Sequence, residues 1–188
     1  MTNSKSRKKS WNDRYKSPSN QPLQPEPFLI DHVSRFKPGS VLDIACGTGR
    51  NSVFLSKNGF KVTSVDFSEI ALARLSENSH ENNLSIETIK MDLSQKECFK
   101  KLKKVDNIIV IHYKLKDDLL EQIPSLLNNH GIFLYCTFNL RQLELRTFPR
   151  EFCLKQGELV NKKWELKLLK YTTFKNKTGY HDGYLFQK

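Results

Sequence analysis

The chain has 188 residues, 38% hydrophobic and 27% charged, the balance of an ordinary globular protein with enough length for one domain with a real core and little for a second. Apolar runs such as Ile108-Ile109-Val110-Ile111 are far too short to span a bilayer, and the opening "MTNSKSRKKSW" lacks the apolar stretch of an export signal, so the expected location is cytoplasmic and no membrane partner is expected. The formal net charge of +11 invites a polyanion, but the lysines are scattered apart from Lys5, Arg7, Lys8 and Lys9 in the tail and a run at Lys100, Lys101, Lys103 and Lys104; nucleic acid is therefore a partner that is open but not favoured.

Residues 1–27 are polar and basic and end in a proline-rich stretch, which reads as a partly disordered or lid-like lead-in to a single domain over 28–188. Trp11 and Tyr15 are unusual in such a tail and suggest a segment that docks on something. Phe28, Leu29, Ile30, Val33 and Phe36 have helical spacing, and "KPGS" breaks the run. Val41–Cys46 has the apolar character of a buried parallel strand. The next segment, "RNSVFLSKNG", predicts a helix closed by Gly59, and "KVTSVDF" predicts a strand. A second helix is expected from Ser68 as N-cap, with Glu69 in its first turn.

"SIETIKMD" and Val105–Tyr113 are the third and fourth strands. "KDDLLEQIPSLLNNHG" predicts a helix kinked or restarted at Pro124 and stopped at Gly131. "IFLYCTFN" is the fifth strand. The stretch from 139 to 156 shows no periodicity, and "QGELVNK" is a candidate short helix. Two long strands, "WELKLLKYTTF" and "GYHDGYLFQ", are joined by a turn at Asn176–Gly179. Repeated β-α units followed by a β-β pair predict an α/β fold: a Rossmann-like, mostly parallel seven-stranded sheet with helices on both faces and a C-terminal antiparallel hairpin.

Cys46, Cys98, Cys136 and Cys153 have no metal-ligand spacing and read as free thiols in a reducing compartment; no metal site is expected. The turn "ACGTGRN" after the first strand carries more information. Gly47 and Gly49 can take positive φ and lack a Cβ, so a ligand can approach the backbone, and the following helix N-terminus offers amide donors. Asp66 ends the second strand, 17 residues after Gly49, where a carboxylate suits a ribose diol. The third glycine of a dinucleotide fingerprint is absent, Ser52 standing there, and Asp43 inside the first strand would repel a pyrophosphate but favour an ammonium or sulfonium.

"VLDIACGTG" followed by "VTSVDFS" resembles the class I S-adenosylmethionine-dependent methyltransferases over roughly residues 28–138. "D-x-A-C-G-T-G-R-N", with "W-N-D-R-Y" upstream, is similar to their small-molecule branch of the tellurite-resistance and thiopurine type. One departure is Ala45, where many relatives have glycine; a methyl group there is expected to have little effect on binding. The resemblance implies S-adenosyl-L-methionine as cofactor and S-adenosyl-L-homocysteine as product. It puts Ala45, Cys46, Gly47, Gly49, Arg50 and Asn51 at the cofactor, the two glycines along its methionine part, and Asp43 near its amino group. By the same resemblance Asp66 holds the ribose hydroxyls, Phe67 and Ser68 flank the adenine, and Asp92 meets the adenine amino group between Met91 and Leu93. Asp92 as a turn cap and Met91 as core filler are the plainer alternatives.

His112 and Tyr113, at the end of the fourth strand, would face the transferred methyl group. They do not match the N/D-P-P-Y/F pattern of base N-methylating enzymes. His112 is a candidate base or a satisfied strand-end histidine, with no orienting partner visible in the sequence. Trp11, Arg14 and Tyr15 match a segment that covers cofactor or substrate. The expected function is methyl transfer to a small-molecule acceptor by in-line displacement, carried mainly by proximity and orientation. The alternatives are a nucleic-acid or protein methyltransferase and a non-catalytic binding fold.

Overall fold

The computed structural model describes residues 11–13, 15–16 and 24–188. Seven strands form one sheet: β1 Ser40–Ile44, β2 Lys61–Asp66, β3 Ile86–Lys90, β4 Val105–Ile111, β5 Leu127–Phe138, β6 Lys167–Asn176 and β7 Gly179–Gln187. Their order is β3-β2-β1-β4-β5-β7-β6. The first five are parallel, and β7 enters antiparallel between β5 and β6. The order reverses between β1 and β4, which opens a crevice at the carboxyl ends of these two strands. The expected α/β architecture and terminal hairpin are what the chain forms.

The central strands alternate between two cores. Leu42, Ile44, Ile108 and Val110 point to one face, where helices α4 (Asp117–Leu120) and α5 (Ile123–Leu126) pack. Val41, Ile109 and Ile111 point to the other, against α1 (Pro27–His32) and α2 (Arg50–Lys57). Burying both faces explains why β4 reads as a continuous apolar run. Helix α3 (Glu69–Glu81) packs Leu72 and Leu75 beside Cys46 and Val53. Its N-cap is Ser68, whose hydroxyl accepts from the Ala71 amide at 3.3 Å.

Two expectations need correction. The helix expected through Gly131 ends at Leu126, and Leu127–Gly131 already belong to β5. Pro124 restarts the chain at the head of α5, and two asparagines then follow, which favour helix weakly. Leu127 is fully buried opposite Val105, and Asn128 Nδ2 donates to Asp106 Oδ1 at 3.0 Å, so tertiary pairing wins. "QGELVNK" forms hydrogen-bonded turns, not a helix. The connection before it carries two short 3-10 turns, Leu140–Glu144 and Arg150–Phe152. Among the described residues no helix is long and apolar enough to cross a membrane.

Candidate active site

The β1–α2 turn crosses the carboxyl end of the sheet. Ala45, Gly47 and Gly49 all have positive φ, at 59°, 57° and 79°. The two glycines serve different ends. A Cβ on Gly49 would lie 2.2 Å from Leu75, so glycine there lets α3 close on the turn. A Cβ on Gly47 would instead point outward, 2.8 Å from the Tyr15 hydroxyl. Gly47 is thus the position where bare backbone faces whatever lies above the turn.

Asp66 meets that turn from the end of β2. Its carboxylate accepts from the Gly47 amide at 2.9 Å and from the Ser68 amide at 2.9 Å, one bond to each oxygen. Each oxygen keeps acceptor capacity for a further donor, the arrangement that suits two vicinal hydroxyls. Asp66 is 5% exposed; burial raises its pKa, against the lowering by the Ser68, Gly47 and Phe67 amides. The Met91 amide donates to the Asp66 carbonyl at 2.8 Å, which brings the third strand's end to the same place. Met91 and Leu93 are buried in the adjoining core, Phe67 is half-buried, and half-buried Asp92 accepts from the Ser94 amide at 3.0 Å.

Asp43 lies beneath the turn. It is 1% exposed and accepts from the Ser52 hydroxyl at 2.6 Å; Ser64 in turn donates to Ser52 at 2.9 Å. Burial, with repulsion from Asp66, pushes the Asp43 carboxyl up to about 7 against the Ser52 bond. Its contact is therefore with α2 and β2, under the loop. Cys46 is buried, its thiol donating to the Gly47 carbonyl at 3.4 Å, and burial raises its pKa well above the ordinary value.

Arg50 and Asn51 fasten the incoming chain. The Glu26 amide donates to Asn51 Oδ1 at 3.0 Å, and Arg50 Nη1 donates to the Gln24 carbonyl at 3.0 Å. Arg50 Nη2 is 3.3 Å from Glu26 Oε2 and 3.3 Å from His112 Nδ1. His112 Nε2 stands 2.9 Å from the same Glu26 oxygen. Burial of Glu26, 1% exposed, would raise its carboxyl, but His112 and Arg50 outweigh this and hold it below the ordinary value.

His112 sits just past β4 with φ +58°, a costly conformation for a non-glycine residue, and its amide donates to the Cys136 carbonyl at 2.8 Å. Its ring stacks at 4.9 Å on His181, and Phe138 flanks both. Tyr113 is half-buried against the core.

The N-terminal aromatics lie over this end of the sheet. Residues 11–13 and 15–16 are helical, with the Trp11 and Tyr15 rings stacked at 6.0 Å. Ser68 donates to Asn12 Oδ1 at 2.6 Å, and Arg74 donates to the Lys16 carbonyl at 3.0 Å. The described residues of the segment thus lie against Gly47, Ser68 and α3. Arg14 lies outside the described residues.

Glu26, Asn176 and His181 are site residues that the sequence did not reveal. Glu26 hides between two prolines in the lead-in. His181 and Asp182 had one readable signal: two polar residues side by side in a strand otherwise apolar and aromatic, which burial on both faces makes costly without partners.

Compared with known proteins, the chain is 32% identical over 101 residues to the probable S-adenosyl-L-methionine-dependent methyltransferase TehB of Haemophilus influenzae, covering 54% of this chain and 34% of that one. It is 27% identical over 135 residues to the putative methyltransferase YqeM of Bacillus subtilis, covering 68% of this chain and 53% of that one. The matched stretches thus span about a third to a half of these relatives. The crystal structure of Haemophilus influenzae TehB superposes with a TM-score of 0.72 at 21% identity, over 96% of this chain and 66% of that one. The N-methyltransferase NodS of Bradyrhizobium japonicum, solved with S-adenosyl-L-homocysteine, gives 0.71 at 14% identity over 96% and 97%. At these identities the superpositions speak for a shared fold. The family model described as tellurite resistance protein TehB matches residues 22–177, and the chain belongs to that family.

Proposed function

We propose that the protein is an S-adenosyl-L-methionine-dependent methyltransferase acting on a small-molecule acceptor. One observation carries this reading: the Asp66 carboxylate is tied to the Gly47 amide at 2.9 Å at the carboxyl ends of β1 and β2. A ribose diol and a close-lying methionyl chain find their complements there within a few ångströms. The family match, and relatives and neighbours named as methyltransferases, support it.

The cofactor, when bound, supplies a methyl group on a sulfonium, already activated for in-line displacement, and leaves as S-adenosyl-L-homocysteine. The chain's own residues bind and orient. Asp66 accepts from the ribose hydroxyls, Gly47 gives the backbone approach, and Met91 and Leu93 offer an apolar wall beside Asp92. Tyr15 stands over Gly47, so the N-terminal segment moves aside for entry and afterwards keeps water out. Such alignment supplies effective molarities of about 10⁵ M or more.

His112 acts as a positioning residue in this scheme. With Nδ1 3.3 Å from Arg50 Nη2 and Nε2 2.9 Å from Glu26 Oε2, both ring nitrogens face groups of the chain itself and neither is turned to a substrate proton. A nucleophile that is already anionic needs no base. Transfer from methyl-labelled cofactor to a panel of thiol, carboxylate, amine and oxyanion acceptors, with RNA and protein in parallel, tests the reading. Labelled product from a small acceptor supports it; label appearing in macromolecules alone, or nowhere, overturns it.

A further inference from the structure

We infer that the depression at the β6–β7 turn is an anion subsite that holds the carboxylate or phosphate end of the methyl acceptor. It has a volume of about 210 Å³ and is lined by Gln142, Leu145, Arg146, Lys175 and Lys177 together with the turn backbone. Three cations face it and no carboxylate does. Among the described residues, no ion pair involves Arg146, Lys175 or Lys177. Glu144, the acidic residue next to Leu145, is turned to Arg141 at 3.6 Å. Three like charges gathered in a concave wall repel one another and focus a positive field, which an anion relieves.

Two of the three cations, Arg146 and Lys175, are held by packing. The Arg146 guanidinium lies 5.3 Å over the Phe148 ring and donates to the Thr178 carbonyl at 3.4 Å. Lys175 and Arg141 lie over the Tyr180 ring at 5.2 and 4.2 Å. A guanidinium braced in this way loses little freedom when its remaining donors meet an anion. The turn itself is braced by Gln142, which accepts from the Tyr180 amide at 2.9 Å and donates to the Thr178 carbonyl at 3.2 Å.

The depression shares a wall with the candidate site. Antiparallel pairing sets Phe138 at the end of β5 opposite His181 near the start of β7, so the turn lies at the carboxyl end of the parallel strands, the end that carries the glycine turn. Asn176 Nδ2 donates to Glu26 at 3.2 Å, while its Oδ1 accepts from the Thr178 amide at 2.8 Å. The Thr178 hydroxyl is 3.2 Å from His181, which stacks on His112. The Glu26 charge behind this wall is already met by Arg50 and His112 and leaves the three cations uncancelled.

The ligand class follows from size and charge. At about 210 Å³ the depression is smaller than the roughly 300–1,000 Å³ of a pocket for a whole small molecule, so it takes one end of the ligand. Leu145, 44% exposed on its rim, offers contact to an apolar body. A nucleic-acid strand calls for cations spaced along a phosphate row, whereas these three line a single depression of about 210 Å³. The acceptor is therefore a small organic acid. Its identity as the acceptor rests on the methyltransferase reading; the subsite itself does not.

Inorganic phosphate titrated at constant ionic strength into the full chain, followed by amide NMR, tests the subsite. Saturable shifts centred on Gln142, Thr178 and Gly179 are expected, with the apparent Kd rising at least fivefold in the double variant R146Q/K177Q. Shifts that do not saturate, that centre elsewhere, or that persist unchanged in the double variant overturn it. Calorimetry with S-adenosyl-L-homocysteine on the same samples separates the two readings. If S-adenosyl-L-homocysteine binds neither protein while phosphate still saturates the turn, the methyltransferase reading fails and the subsite stands. If S-adenosyl-L-homocysteine binds both equally and phosphate misses the turn, the subsite alone fails. With acidic acceptors, the double variant should raise KM about tenfold at unchanged kcat, and with their neutral amides it should change neither; equal effects on both would contradict the assignment.

Discussion

Ala45 holds φ at +59° between β1 and the glycine turn, where a Cβ is strained and a glycine is not. The sequence suggests that the extra methyl matters little for binding, but its cost falls on the backbone. Ala45→Gly is predicted to raise stability by about 0.5–1 kcal/mol, about 2 °C in Tm, and a clear loss of stability would refute the strain. Asp43 gives a pH signature. Its folded value of about 7 lies above its ordinary 3.8, so from about 4 to about 7 the folded protein keeps a proton the unfolded chain has released, and stability falls as pH rises. His181 opposes this. Burial, with electrostatic opposition from the neighbouring His112, pulls it from 6.5 to about 4, so its contribution is complete above about 6.5 and is lost as pH falls toward 4. Asp43→Asn removes the first slope and keeps the second. The Tm difference between variant and native protein should therefore grow from pH 4.5 to 7.5; a flat difference contradicts the assignment. Gly47 and Asp66 were legible because conformational freedom and charge at strand ends are local properties. Glu26 was not, since its partners Arg50, His112 and Asn176 lie 24, 86 and 150 residues away in the chain.

At the level of elements, the terminal hairpin and the connection from β5 are locked together by Asp182. The fully buried carboxylate accepts from Asn139 Nδ2 and the Gly157 amide at 2.7 Å each, and from the Tyr184 and Tyr171 hydroxyls at 2.9 and 3.3 Å. Removing it strands four donors, two of them, on Asn139 and Tyr184, fully buried. Asp182→Ala is predicted to cost about 3 kcal/mol and to speed hydrogen exchange at the Gly157 amide. An exchange rate unchanged from the native protein would show that the connection is held by other contacts. Period and turn residues located the seven strands, because alternation and apolar runs reflect burial directly. They failed at Leu127–Gly131, where pairing with Val105 overrides a helical start, and at 156–161, where Asp182 receives Gly157 from a distance.

Across the whole molecule, the β3-β2-β1-β4-β5-β7-β6 order creates the site. Alternating β-α units imply parallel strands, but which strands become neighbours depends on packing that no local window contains. The order brings the turn after β1, Asp66 after β2, Met91 and Asp92 after β3 and His112 after β4 to one end of the sheet. It brings the β6–β7 turn there as well, so part of the net charge of +11 gathers beside the candidate site. The central claim is that Asp66 and the backbone at Gly47 together hold the adenosyl cofactor. Calorimetric titration of S-adenosyl-L-homocysteine into the native chain and into Asp66→Ala tests it most directly. Loss of two charge-assisted hydrogen bonds predicts affinity at least about 100-fold weaker in the variant. Equal affinity in the two proteins, or no binding by the native chain at high micromolar ligand, would contradict it.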